Sequence, residues 1–280
     1  DSVPLVTVTE TITSTIEPTP LTLGISGLTG WYTANSFNTS TQTWVDLSGN
    51  GNDATKTRGT VFKNETGLNG LPIIYGGTGD GGINFPSDAI GVVPTSSAYT
   101  VYTLFTVAKY GQNQNINGTK GRIFSSTGGN NWLSGFWNSL SGVAYHDYWI
   151  TSSSTNSHDY NWVISTDQLN LYRSNGTNRT VANGVKGPVI LSINPTGETS
   201  DWSVAEVILY KDTNLSSTDY IRVEEYINGK YNITTNVQKI LPETITTTVT
   251  TTTGGIAGST AVPGAVVVDT PSAVLDVAAI

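Results

Sequence analysis

The side chains of widest chemical reach in this chain are two histidines and a thin scatter of carboxylates. His146 and His158 sit in two similar runs, His146-Asp147-Tyr148 and His158-Asp159-Tyr160. A His/Asp pair from each run would suit a metal held between adjacent strands; as loop residues they would instead bond nearby carboxylates or backbone. No Gly-x-Ser-x-Gly run is present to expose a nucleophilic serine. Glycoside hydrolysis needs two carboxyls facing each other across the scissile bond, about 5 Å apart for retention. The chain has no Glu-x-Asp-x-x-Glu run that would supply them. Its adjacent pair Glu224-Glu225 reads as a solvated helix face, and Glu206 stands alone on its strand. The expectation is a non-catalytic protein with no catalytic residues and no required cofactor.

Binding chemistry has better candidates. Asp46, Asn50, Asn52 and Asp53 place hard oxygen donors in one Gly-containing turn, which suits calcium. The same residues also suit an Asx turn, in which the side chains bond their own backbone. A second loop, Gly76-Gly77-Thr78-Gly79-Asp80-Gly81-Gly82, carries one carboxylate and reads as a flexible turn. Six large aromatic residues fall between positions 132 and 149. Sugars stack on exposed rings while amides and acids take their hydroxyls, so Trp132, Trp137, Tyr145, Tyr148 and Trp149 form the carbohydrate-binding candidate. Arg122 and Arg173 are its expected charged neighbours. The competing reading sends alternate residues, Trp132 and Phe136, into the core, where large aromatics usually lie.

These candidates need a scaffold, and the pattern around them is that of strands. Tyr99–Tyr110 and Ser203–Tyr210 are apolar on both faces, as central strands of a layered fold must be. Leu169–Arg173 and Arg179–Ala182 flank Ser-Asn-Gly-Thr, and Asn-Gly accepts the positive φ of a tight hairpin turn. One helix is expected, capped by Ser216, with Asp219 in its first turn and an apolar stripe of Ile221, Val223, Tyr226 and Ile227 leading to Lys230.

Texture divides the chain into residues 1–23, 24–233 and 234–280, because every Trp, Tyr, Phe and His lies in the middle segment. The outer segments are Thr-rich arms. Val6, Val8, Ile12 and Ile16 alternate with Thr7, Thr9, Thr11, Thr13 and Thr15; Ile245 and Val249 alternate with Thr244, Thr246, Thr248, Thr250 and Thr252. Period 2 with β-branched residues is a strand signal. Such arms could pair with each other, pair with copies of the chain, or serve as O-glycosylated linkers. The apolar runs Ala265–Val268 and Ala273–Leu275 are expected to dock on the same chain or on a copy.

Composition sets the remaining bounds. Net charge is −8, which repels nucleic acid and anionic membranes. No run of about 18 uncharged apolar residues exists to span a bilayer. Cysteine is absent, so no disulfide staples the fold, and the lack of any Met suggests a processed product. Seven N-x-S/T sequons, at Asn38, Asn64, Asn117, Asn175, Asn178, Asn214 and Asn232, suit an extracellular or virion-surface glycoprotein.

Two stretches resemble a known group. Gly30-Trp31-Tyr32 followed by Trp44-Val45-Asp46-Leu47-Ser48-Gly49-Asn50-Gly51-Asn52-Asp53-Ala54 resembles the opening of laminin-G-like, concanavalin A-like lectin/glucanase domains. Asp201–Tyr210 with the later run Tyr226–Tyr231 is similar to their close. Gly121–Phe124, Asn131–Trp137 and Leu171–Gly176 resemble the version of the domain in proteins of large algal DNA viruses. Over residues 24–233 the resemblance implies an all-β jelly-roll sandwich of two antiparallel sheets with one short helix near its C-terminal end, flanked by extended Thr-rich arms. Such domains often hold calcium. The fold serves lectins, glycanases and capsid decorations alike, so it does not choose among them. Two functions are expected: a structural surface protein assembling with copies of itself through residues 1–23 and 234–280, or a lectin-like module recognising cell-surface glycans.

Overall fold

A computed structural model describes residues 6–90, 101–113 and 115–253. Residues 265–268 and 273–275 lie outside the described residues. The chain divides into two compact units, one containing both arms and the other running from Thr19 to Leu241.

In the arm unit, β1 (Val6–Ile16) pairs antiparallel with β18 (Glu243–Thr253) over eleven residue pairs. The arms therefore satisfy one strand edge each within one chain. The register sets Thr9, Thr11, Thr13 and Thr15 opposite Thr250, Thr248, Thr246 and Thr244, so one face is a ladder of threonine pairs. On the other face Val8, Ile12 and Ile16 remain 51%, 55% and 43% exposed.

The larger unit is the expected all-β sandwich of two antiparallel sheets. The first sheet runs, edge to edge, β12 (Leu140–His146), β11 (Trp132–Trp137), β10 (Phe124–Thr127), β16 (Ile190–Ile193), β8 (Gly82–Asn84), β5 (Ala54–Arg58), β4 (Thr43–Trp44) and β3 (Phe37–Asn38). The second runs β15 (Thr177–Asn178), β14 (Leu171–Ser174), β13 (Val163–Gln168), β9 (Tyr102–Tyr110), β17 (Trp202–Lys211), β7 (Leu71–Gly76) and β6 (Phe62–Leu68), with β2 (Leu28–Thr33) also pairing on β17. Tyr32, Trp44, Phe85, Phe124, Trp132 and Phe136 meet Tyr102, Leu104, Tyr110, Trp202 and Val204 between the sheets.

The central strands of the second sheet, β9 and β17, are buried on both faces, which is why they carry no polar alternation. On its outer side Phe105, Val107, Ile208 and Tyr210 pack against Val223, Tyr226, Ile227 and Tyr231 of the helix α1 (Ser217–Tyr231). Ser216 caps that helix by accepting from the Asp219 N–H, as its sequence predicts. Ile221 departs from the predicted stripe and is exposed. Glu224 departs further: it is buried, accepting two bonds from Arg173 at 2.8 and 3.0 Å and one from Thr166 at 2.7 Å. It is no solvated helix face, because α1 turns it onto β13 and β14.

The β14–β15 hairpin turns at Asn175 and Gly176, with φ of 46° and 77°. The glycine loop at 76–82 is tied down rather than loose. Asp201 accepts the Thr78 N–H at 3.0 Å, and Asn194 donates to the carbonyls of Gly77 and Asp80 at 2.7 and 3.0 Å.

Candidate functional site

The aromatic cluster is sorted by the pleat of β11 and β12. Along a strand, successive side chains point to opposite faces. Trp132 and Phe136 point into the sandwich and are fully buried; Leu133 and Trp137 point outward. Tyr145 on β12 lies opposite Leu133 and shares its face. After His146 the chain folds back so that Trp149 bridges to Tyr145. The result is a shallow pocket of about 210 Å³ with Leu133 at its base and three half-buried rings around it. The ring centroids of Trp137 and Trp149 are 5.1 Å apart, and those of Tyr145 and Trp149 are 5.2 Å apart.

One wall of this pocket is polar. Arg122 donates to Asn131 Oδ1 at 2.8 Å and forms an ion pair with Glu198. Glu198 also accepts from the Trp137 indole N–H at 3.1 Å. Backbone pairing explains why these distant residues meet: the Arg122 N–H bonds the Glu198 carbonyl at 2.8 Å, joining the approach to β10 with the loop before β17. A second cavity of about 540 Å³ adjoins the first and shares Trp137 and Glu198 with it. Lys120, Ser139 and Thr199 are among its lining.

Of the predicted sugar-binding residues, Trp137, Tyr145 and Trp149 converge here. Trp132 does not: it is 0% exposed, its indole N–H donates to the Tyr102 hydroxyl at 3.1 Å, and its ring stacks on His146. A ring buried on that face offers nothing to a ligand. Tyr148 is exposed but does not line the pocket. Arg122 converges as expected, whereas Arg173, on the opposite sheet, is committed to Glu224 of α1.

The donor set predicted for calcium does not fit the ion. Asp46 accepts from the N–H groups of Trp31, Ser48 and Asn52 and from the Ser48 hydroxyl, at 2.8–3.0 Å. Asp53 accepts from the Asp46 N–H at 2.8 Å, and the amide nitrogens of Asn50 and Asn52 donate to the carbonyls of Leu28 and Thr29. All four lone-pair sites of the Asp46 carboxylate are taken by N–H and O–H donors, two on each oxygen, so the loop is a closed Asx-type turn fixing β2.

The two histidine runs do not meet, and among the described residues no group of three or more acidic or histidine side chains could hold a metal. His146 is buried, with one ring nitrogen 3.0 Å from the Leu169 carbonyl and the other 3.2 Å from Asp167. His158 lies 2.7 Å from the Ser174 hydroxyl, a spacing that invites a nucleophile reading. The tautomer opposes it. Asn175 Oδ1 accepts the Ile164 N–H, so its NH₂ faces His158 Nδ1 at 3.3 Å and donates there. The proton then sits on Nε2 and points at Ser174, which also accepts from Arg179 at 3.1 Å. A serine receiving two protons is not being deprotonated.

Burial, then the Arg179 charge, pushes His158 down to about 4. Its folded-state value lies below the ordinary 6.5, so its contribution to stability is complete above pH 6.5 and declines as pH falls toward 4. His158→Gln is expected to flatten this part of the melting-temperature profile. An unchanged difference between parent and variant from pH 7 to 4.5 would contradict the assignment.

The sequons also divide. Asn38, Asn117, Asn178, Asn214 and Asn232 are exposed. Asn64 and Asn175 are half-buried and their amide nitrogens are engaged, Asn64 with Asn113 at 2.6 Å and Asn175 with His158 and Trp162. Glycosylation at those two would break tertiary bonds.

With this geometry in place the chain can be set beside known proteins. No family model matches it, and no curated protein does. Solved structures do. The botulinum neurotoxin serotype D binding domain is 13% identical with a TM-score of 0.45, over 71% of this chain and 51% of that one. Trypanosoma rangeli sialidase is 16% identical with a TM-score of 0.42, over 74% of this chain and 33% of that one. The chain spans about half the length of the first of these structures and about a third of the second. Likeness at this level assigns neither a family nor a ligand.

Proposed function

We propose that this protein is a non-catalytic glycan-binding module of an extracellular or virion surface, using the outer face of β11 and β12. The observation that carries the reading is the pocket itself: Trp137, Tyr145 and Trp149 half-buried around one depression, walled by Arg122, Asn131 and Glu198. Half-buried rings already held in place lose little freedom on stacking a sugar, and the arginine, amide and carboxylate supply donors and acceptors for hydroxyls. Among the described residues Glu198 is the one carboxylate lining this pocket, and it is ion-paired, which favours binding over hydrolysis by an acid pair. No helix among the described residues is long and apolar enough to cross a membrane. A glycan array probed with the full chain, followed by calorimetric titration of the best hit with and without EDTA, tests the reading. Binding that survives EDTA is expected; an array with no hits overturns it.

A second reading, assembly through the arms, has one observation in its favour. The β1–β18 ribbon keeps Val8, Ile12 and Ile16 substantially exposed, and a two-stranded ribbon in water is only marginally stable unless its apolar face is covered. Light scattering should then show concentration-dependent association of the full chain that Ile12→Lys abolishes. A monomer at all concentrations removes this reading and leaves the first untouched.

A further inference from the structure

We propose that the ligand of this groove is an acidic glycan and that Lys120 reads its negative charge. The inference rests on the glycan reading and adds the class of sugar.

Lys120 and Arg122 are two residues apart on the segment leading to β10, and they line adjoining cavities. The ridge between the cavities is Trp137 with its bonded Glu198, so a chain of sugars lying across the ridge meets both cations. Their electrostatic states differ. Arg122 is neutralised by Glu198. Lys120 forms no ion pair among the described residues; its ammonium instead sits 4.5 Å over the Tyr160 ring. That cation–π contact holds the charge in place without cancelling it. The charged side chains lining the two cavities are Lys120, Arg122 and Glu198, with the Asp201 carboxylate directly behind, 2.8 Å from the Thr119 N–H; of the two cations, Lys120 is the one without an ion-pair partner among the described residues. A neutral sugar would gain nothing from that unpaired ammonium, whereas an anion would be drawn to it.

The position of Lys120 is fixed as well as its charge. Its carbonyl accepts the Ser139 N–H at 2.9 Å from the tight turn of the β11–β12 hairpin, where Asn138 and Ser139 have φ of 45° and 70°. Next to it, a Cβ at Gly121 would stand 2.3 Å from the Thr199 carbonyl oxygen, so the two backbones pack as closely as glycine permits. The remaining side chains of that cavity, among them Thr119, Asn138, Ser139 and Thr199, are neutral hydrogen-bonding groups suited to hydroxyls.

The test is an array of matched oligosaccharide pairs differing only in charge: uronate against neutral hexose, sialylated against unsialylated, sulfated against unsulfated. It is probed with the full chain and with Lys120→Gln. The acidic member of at least one pair should bind about five-fold more tightly, the effect of one partly screened charge pair. Lys120→Gln should bring the acidic-to-neutral affinity ratio down to about one, and raising NaCl from 50 to 300 mM, roughly a halving of the screening length, should weaken the acidic member alone. The pairs separate carboxylate from sulfate as the source of charge. If neutral members bind as well as acidic ones, or if Lys120→Gln keeps the preference, the inference falls and the glycan reading stands. If no member of any pair binds, both fall.

Discussion

Trp132→Ala is expected to cost about 3–5 kcal/mol of stability, and Trp149→Ala to leave stability nearly unchanged while weakening glycan binding by about 30-fold. The two tryptophans belong to one aromatic cluster in sequence but lie on opposite faces of the β11–β12 sheet edge. Trp132 is 0% exposed and packed in the inter-sheet core. Its removal opens a large cavity, strips the face of His146 and leaves the Tyr102 hydroxyl without its indole donor. Trp149 is half-buried and touches Trp137 and Tyr145 from outside the core. Losing it removes the ring that both neighbours brace, which is the arrangement of a binding hot spot. Urea unfolding and calorimetric titration on both variants read the two effects separately. A Trp149→Ala protein that unfolds early but binds normally would move that ring from the site to the scaffold.

The same pair of residues shows how far the sequence could be read. Six aromatic residues in one short stretch announce that something is being built, and the alternation of Trp132 and Phe136 with Leu133 and Trp137 contains the face assignment. What it lacks is the phase: nothing in the stretch says which set faces inward until the partner sheet is known. Glu198 was invisible for a different reason. It reaches the pocket through a loop paired with the segment leading to β10, and a single Glu in a run of Gly, Thr and Ser carries no local signal. By contrast β9 and β17 were legible, since strands apolar on both faces have only one place in a layered fold. The sequence could not choose between the calcium and Asx-turn readings of the loop at 46–53, because oxygen-rich turns that bind a cation and those that bond their own backbone share a composition; the distinction is which atoms already face the carboxylate.

Glu206 is the case in which a local irregularity hid a major contact. Along β17, Trp202 and Val204 face the inter-sheet core, and strict alternation would send Glu206 there too. A bulge between Val204 and Glu206 changes the phase, so that Val207 and Leu209 resume the inward set and Glu206 turns toward the helix. There it is 0% exposed and accepts from the Trp31 indole at 2.6 Å, the Tyr226 hydroxyl at 2.7 Å and the Lys230 ammonium at 2.8 Å. Burial, and after it the Glu206 charge, holds the Tyr226 phenol well above its ordinary range, so that hydroxyl remains a donor. Glu206→Ala is expected to lose about 3–5 kcal/mol, because it orphans three donors where helix, β2 and β17 meet. Lys230→Met should also be costly, since it leaves a buried carboxylate with neutral donors only. Glu206→Gln should fall between parent and Glu206→Ala: its amide oxygen still accepts, but its NH₂ faces a cation. Urea unfolding followed by helical circular dichroism checks the order. If Glu206→Ala unfolds within about 1 kcal/mol of the parent, α1 is held by Val223, Ile227 and Tyr231 alone, and the buried carboxylate sets where the helix docks rather than how firmly.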